Sequence, residues 1–398
     1  MNTNLLIREP NYTRLIALLF WSGLIVLSSL YVSVPLIPTI TQSFHLSSEK
    51  AAVLGSSFSL FYAIGCLIHG PISDWLGRKA VISIGLAVLS LATLSVGFIS
   101  SFNLLIFLRC VQGIAAAAFS PVALTYIGEV FPSSKRGTAI GVVSTGFLMA
   151  GIVGQLWGSF FTDLLGWHQV FVVLGFAYLL TLGLIITLLP REKMDRPSWN
   201  ARTYAKQWKQ VWSNPNLLLC YGITALILFC FVGMYTVLGT VLEKAPFGLS
   251  SIQLFGVRAL GIIGMLICPF AGNLFGKWGT LPTLRIGLTL AIVGLASMGL
   301  VQQLSSYMLM SVVFVGGISL VVPAIISLVG EIGSRNRAIA TSMYTFVLFA
   351  GAGVSPLATA RLLKSGIASL PFLTFAVMMG LGLITAMFIK VPGATDKL

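Results

Sequence analysis

Twelve stretches of this chain are each long and apolar enough to cross a lipid bilayer as a helix, and this repetition constrains the fold more than any other feature. They lie at about 15–38, 51–72, 80–100, 103–127, 138–162, 167–189, 216–241, 251–275, 286–302, 305–329, 338–360 and 367–389. A helix needs roughly 20 apolar residues to span the hydrocarbon, and there each backbone N–H and C=O must be satisfied within its own segment. The runs are long and do not alternate in polarity, so helices are expected and a β-barrel is not. Hydrophobic residues make up 57% of the chain, against roughly 45–50% in soluble domains. The expected class is an all-α membrane protein with twelve transmembrane helices. The first run is full length and carries no cleavage site behind a short apolar core, so it reads as span one and not as a removable signal peptide.

Basic residues set the orientation. With alternate loops assigned to the two sides, eighteen of the 24 Lys and Arg fall on the side of both termini and four on the other, while Arg109 and Arg258 fall inside spans. By the positive-inside rule both termini face the cytoplasm. The net charge of +14 is spread over short loops between spans, where anionic headgroups are its neighbours, so nucleic acid is not an expected partner.

The longest connection, 191–215, divides the chain into an N-terminal bundle (1–190) and a C-terminal bundle (216–398) of six spans each. Within it Tyr204, Trp208 and Trp212 recur at helical spacing, with Arg202, Lys206 and Lys209 on the other side. This pattern predicts an interfacial helix lying flat on the cytoplasmic membrane surface, with no role beyond joining the bundles. A shift of 202 residues lays Gly272–Gly279 on Gly70–Gly77, placing Gly276 on Asp74 and Glu331 on Glu129. One residue of slippage brings Arg337 onto Arg136 and Ser355-Pro356 onto Gly154-Gln155. Two copies of a six-helix unit are implied.

Three motifs carry a family resemblance. "GPISDWLGRK" (70–79) after span two resembles the signature of the major facilitator superfamily. "RCVQGIAAA" (109–117) resembles the family's second signature in span four, and "GEVFPSSKRGTAIG" (128–141) its loop between spans four and five. Within the superfamily the chain is most similar to the twelve-span bacterial drug/proton antiporters, and among them to the arabinose-efflux-permease-like exporters. The resemblance implies two pseudo-symmetric bundles in a bacterial inner membrane. It also implies a substrate site between them near the midplane, export of small organic solutes by alternating access, and protons as a candidate coupling ion. A monomer is the expected working unit, with a small-molecule substrate and the bilayer as partners.

The charged hinge is the expected gate. Gly70 and Gly77 allow close backbone approach, and Asp74 can cap a helix N-terminus or pair with Arg78 or Arg136. The resemblance makes Gly70, Asp74, Gly77, Arg78, Lys79, Glu129 and Arg136 a cytoplasmic latch. The competing reading, a basic turn that only fixes topology, accounts for Arg78 and Lys79 but not for Asp74.

Ionisable residues inside spans default to function. Arg109 lies roughly 9 Å and Arg258 roughly 12 Å below the outer ends of spans four and eight, at 1.5 Å per residue. One comes from each half. With Gln112, Tyr31, Tyr62 and Gln253 nearby they would suit an anionic solute, giving an anionic metabolite or a siderophore as the alternative to a lipophilic drug. The alternative for Arg109 is that it bonds carbonyls and hydroxyls of spans one and five, as the family's span-four arginine often does.

Proton coupling lacks an obvious carrier. Glu49, Asp163 and Glu243 sit near outer span ends, and Asp74, Glu129 and Glu331 near inner ones. Where the antiporters carry a Gly-Pro pair in span five, this chain has Gly154-Gln155 followed by Leu156, Trp157 and Gly158. Coupling is therefore expected to be weak, or to use an edge residue such as Asp163 or the substrate's own protonation. His45, His69 and His168 sit at edges or in loops. The five cysteines are scattered through spans without metal spacing, and read as small core residues. No metalloprotease, nucleophile-elbow or phosphate-loop motif is present, so neither an enzyme nor a cofactor is expected. A receptor or scaffold on the same fold would need a large soluble appendage, and no run of the chain supplies one.

Overall fold

The computed structural model describes residues 11–192, 201–301 and 303–390; the side chains of Glu49 and Arg202 lie outside the described set. Among the described residues, twelve helices are long and apolar enough to cross a membrane. They are spans one (Tyr12–Tyr31), two (Val53–Leu76), three (Arg78–Val96), four (Phe102–Val130), five (Ser133–Leu165) and six (Trp167–Leu188). Then come seven (Pro215–Glu243), eight (Ile252–Trp278), nine (Thr280–Leu300), ten (Leu304–Ile332), eleven (Ser334–Leu363) and twelve (Ser369–Met387). Span one stops earlier than its hydropathy suggests. A turn containing Pro35 intervenes, and the rest of the apolar run forms a short helix, Ile37–Ser43.

Prolines also break two spans internally. Span four consists of Phe102–Ala116 and Ser120–Val130, because Pro121 lacks the N–H that would continue the ladder. Span eight is interrupted by a 3-10 turn at Cys268–Phe270 around Pro269. Gly77 between spans two and three has φ 95°, and Gly279 between eight and nine has φ 85°. Both occupy the left-handed region open mainly to glycine, which explains why the repeat keeps a glycine at each position.

The two halves use one packing scheme. Spans one and five, two and four, and three and six pack together, and so do seven and eleven, eight and ten, and nine and twelve. Between the halves, span two packs on eleven and span five on eight. The contacts that pull these pairs together lie toward one end of the bundle, the end at which span one begins and span twelve ends, called the basal end below. A Cβ on Gly70 would overlap the Ser342 hydroxyl and stand 2.7 Å from the Ala338 carbonyl oxygen. A Cβ on Gly272 would overlap the Thr138 amide and stand 2.6 Å from its hydroxyl. The repeat thus places a glycine at the same crossing twice. Gly141 adds a third approach, against the Cys268 carbonyl.

The helix Ala201–Trp212 between the halves turns its apolar face toward the protein. Tyr204 and Val211 are buried. The Tyr204 hydroxyl donates to the Pro71 carbonyl (3.4 Å) in the first half, and the Asn336 amide donates to Gln210 (3.0 Å) from the second. Lys206 and Lys209 are exposed. Of the amphipathic pattern, Tyr204 is thus spent on the basal end of the bundle, while Trp208 is half-buried and Trp212 stays exposed.

If the glycine approaches close the basal seam, Gly272→Ala should loosen it. Cys268 and Cys66 are both fully buried there and serve as native reporters. Mass spectrometry after N-ethylmaleimide treatment should find both protected in the parent protein, and Cys268 modified in the variant. Equal protection in the two proteins would refute this account of the seam.

Candidate functional site

Just inside the basal end, Arg78 opens span three with its side chain only 2% exposed. Its guanidinium pairs with Asp74 at 2.5 Å and makes a two-pronged contact with Glu129, Nη2 to Oε1 at 2.8 Å and Nε to Oε2 at 3.1 Å. Nη1 donates to the Ser73 hydroxyl. The fork of donors fits a carboxylate better than a lysine would. Below it, the Glu192 carboxylate accepts from the Arg78 amide (2.5 Å) and the Lys79 amide (3.4 Å). Gly77 offers no side-chain cap, so an acidic group from beyond span six satisfies the exposed N–H groups and meets the positive end of the helix dipole. The Lys79 ammonium donates to the Ile186 carbonyl (2.7 Å).

All of these groups belong to the first half except Glu192, which stands at the start of the connection between the halves. Arg136 donates to the Phe131 carbonyl (2.8 Å) and does not pair with Asp74. The crossing between halves is made by other atoms: Arg337 lies against Gly128, and the hydroxyls of Thr125 and Thr341 meet at 2.7 Å. The charged network therefore braces spans two, three and four, while glycines, threonines and Arg337 make the seam. Neither threonine stood out in the sequence, because a hydroxyl that bonds its own helix, as both do here, looks like any other helical threonine.

A narrow cleft, with about 30 Å3 of space for water-sized occupants, lies above this seam. It is lined from both halves by Leu27, Tyr31, Ser120, Leu124, Phe147 and Leu148 on one side and Leu228, Phe231, Val322, Tyr344, Thr345, Leu348 and Phe349 on the other. These residues stand about 9–29 Å in from the basal span ends at 1.5 Å per residue, most of them near the middle of a membrane. No lining residue is charged. Tyr62 lies under the cleft, its hydroxyl 2.5 Å from that of Ser120 and its ring edge-on to Phe349, centroids 4.5 Å apart.

Arg109 does not line the cleft. It is fully buried, and its guanidinium donates to the Leu54 carbonyl (3.1 Å), the Ser29 carbonyl (3.0 Å) and Gln112 (2.9 Å) while lying 4.4 Å from the centre of the Phe58 ring. Gln112 passes the chain on to Thr93 (3.0 Å). This matches the internal-bonding alternative, with spans one and two as partners in place of one and five. Arg258 is half-buried and donates to Gln155 (3.3 Å) across the halves, so it shares no partner with Arg109. The two arginines are not brought together as a clamp. Gln253 forms the capping box of Ser250 at the far end of span eight and is exposed, away from the cleft. Gly154 and Gly158 pack span five on the Ser28 and Val32 carbonyls of span one. Gln155, where the antiporters have proline, is the residue that reaches Arg258. Of the expected ligand set, Tyr31 alone is in the cleft wall.

The family profile of the Major Facilitator Superfamily matches residues 19–332. The chain belongs to the Major Facilitator Superfamily. It is 26% identical to an uncharacterized transporter of Buchnera aphidicola over 344 residues, covering 86% of this chain and 83% of that one. Two solved structures share the fold. One is the human organic anion transporter MFSD10, with TM-score 0.79 and 17% identity, covering 95% of this chain and all of that one. The other is FucP in its outward conformation, with TM-score 0.78 and 16% identity, covering 95% and 99%. The protein is thus a multi-pass membrane transporter and not an enzyme.

The Arg78 network makes a graded prediction. Removing one carboxylate leaves the other paired, whereas the double variant Asp74→Asn/Glu129→Gln leaves a buried guanidinium uncompensated, at about 3–5 kcal/mol. Thermal unfolding in detergent should show small shifts for the single variants and a much larger one for the double. An additive double variant would mean that the pairs do not share Arg78.

Proposed function

We propose that this protein is a secondary active transporter that exports small organic solutes across a bacterial inner membrane by alternating access. The observation that carries the reading is the mid-depth cleft walled by both halves above a tightly closed seam. A solute held there touches both halves, so closing the far end and opening the basal end are coupled to its presence. The excess of basic residues supports a cytoplasmic basal end, on which reading the closed seam is the cytoplasmic gate. Export rests on the likeness of the hinge and span-four motifs to the drug/proton antiporters.

The apolar, aromatic lining favours lipophilic or amphiphilic solutes. An anionic solute is favoured by one different observation. Arg258 has no carboxylate within ion-pair distance among the described residues, and its buried Nε finds no partner. An anion drawn between Arg258 and Gln155 would relieve both deficits.

Proton coupling has no carrier in the cleft. Asp163, Glu243 and Glu331 are exposed at span ends, and Asp74 and Glu129 are committed to Arg78. Coupling is therefore weak or follows protonation of the substrate itself.

A thermal-shift screen of purified protein against drugs, amphiphiles, sugars and carboxylates should give the largest shifts with uncharged amphiphiles. Leu124→Trp, which fills the cleft, should abolish those shifts and transport in proteoliposomes together. Shifts confined to carboxylates and lost in Arg258→Ala would decide for the anion reading. Transport undiminished by Leu124→Trp would reject the cleft as the route.

For coupling, transport in proteoliposomes should respond little to an imposed pH gradient and be unchanged by Asp163→Asn. Strong gradient-driven flux that Asp163→Asn abolishes would overturn that expectation.

A further inference from the structure

We infer that Tyr344 is the residue that reads substrate polarity, and that the cleft takes an uncharged aromatic solute carrying one hydrogen-bond acceptor. The inference rests on the cleft being the substrate site, as proposed above, and adds the ligand's chemistry and the group that recognises it.

Four polar side chains stand in the cleft wall: Tyr31, Ser120, Tyr344 and Thr345. Two are already engaged. Ser120 shares a hydrogen bond with Tyr62, and the Thr345 hydroxyl bonds the Thr341 and Ser342 carbonyls, at 3.0 and 2.9 Å. Tyr31 is half-buried. Tyr344 is as buried as Ser120 and Thr345, at 1% exposed, and differs in that its hydroxyl has no hydrogen-bond partner among the described residues. Cys268, the ionisable neighbour of this ring, does not bond it.

A buried hydroxyl without a partner loses its hydration and gains nothing in return, a cost that an acceptor on a solute in the cleft would relieve. Everything else about the wall selects the rest of the ligand. Phe147, Phe231 and Phe349 offer ring faces and edges. The absence of charge from the lining penalises an ion, whose desolvation nothing there would offset. A neutral aromatic body with one carbonyl or ether oxygen turned to Tyr344 satisfies every group. A hydrocarbon of the same shape leaves the hydroxyl unpaired, so a polar site discriminates against the analogue that lacks the partner more sharply than an apolar pocket discriminates by size.

Tyr344 also sits on span eleven, the helix that carries Thr341 and Ser342 into the seam. A bond to the solute would therefore be made by the element that has to move when the seam opens.

The test uses two labelled probes of nearly equal shape, 2-acetylnaphthalene and 2-isopropenylnaphthalene, on the full-length protein in lipid nanodiscs, with empty nanodiscs subtracted. The parent protein should bind the ketone about tenfold more tightly than the alkene, the worth of one ordinary hydrogen bond. Tyr344→Phe keeps the ring and should erase that preference by weakening the ketone alone. Leu124→Trp should weaken both. Equal binding of the two probes by the parent protein, or equal loss of both in Tyr344→Phe, would overturn the role of Tyr344 while leaving the cleft as the site. Binding that Leu124→Trp does not touch lies elsewhere and overturns the inference as well. If neither probe binds, the reading of the cleft as a site for apolar solutes falls together with it.

Discussion

The close approach of span two to eleven and of span five to eight is the constraint on which the rest of the molecule depends. In a bilayer, helices gain little by hiding apolar side chains from lipid that is equally apolar, so association relies on packing at short range and on polar contacts. Gly70, Gly141 and Gly272 supply the short range, since each would drive a Cβ into the facing backbone or hydroxyl. Bringing the helices together at one end and not along their length leaves a gap further in. The cleft is the geometric consequence of where the glycines stand.

Three arginines, two buried and one half-buried, show how differently one chain can meet the cost of a charge in the membrane, which is several kcal/mol when nothing compensates it. Arg78 is neutralised by two carboxylates and sits near the edge. Arg109 has no carboxylate and relies on carbonyls, an amide and a ring face, which makes it a brace between spans one, two and four. Arg258 is the least provided for, with one neutral amide across the halves. The order of compensation is also the order of commitment to structure: Arg78 and Arg109 are tied within the first half, and Arg258 alone among the three spends its charge on the boundary.

Much of this was legible in the sequence, and the rest was hidden for physical reasons. Apolar run length gives the twelve spans, because the membrane sets a length that no soluble core demands. The 202-residue shift finds the repeated crossing, because only glycine fits there. The breaks at Pro35, Pro121 and Pro269 were not legible, because Pro71, Pro323 and Pro356 lie inside unbroken helices and proline alone does not separate the two cases. The cleft wall was not visible. Leu124, Phe231 and Leu348 are apolar residues in apolar helices, and in such a background hydropathy offers no contrast between facing lipid, facing a neighbour and facing a cavity. Charge misled for a related reason. Arg109 stands out in the sequence because it is expensive, yet it is expensive wherever it points, and its donors point into the first half. Tyr344 carried no such signal, standing among the hydroxyls of Thr341, Ser342 and Thr345, and only burial and partner accounting make it stand out.

The two halves are alike in packing but unlike in charge, and that difference bears on how they move. Gly276 replaces Asp74 in the second half, and Thr280 stands where the first has Arg78. The first half is therefore braced at its basal end by an ionic network and capped there by Glu192, while the second meets it with Arg337, Thr341 and a glycine-lined crossing. A stiff partner against a less constrained one places most of the rearrangement on spans eight and eleven. Span eight is already interrupted at Pro269, beside the Gly141 approach, and a broken helix bends where its hydrogen bonds are missing. The helix 201–212 touches both sides, through Pro71 and Asn336. These two bonds use uncharged groups, buried at Pro71 and exposed at Asn336, each of the modest net worth of an ordinary hydrogen bond. It thus favours the closed seam without locking it, as a transporter that must open the same seam in every cycle requires.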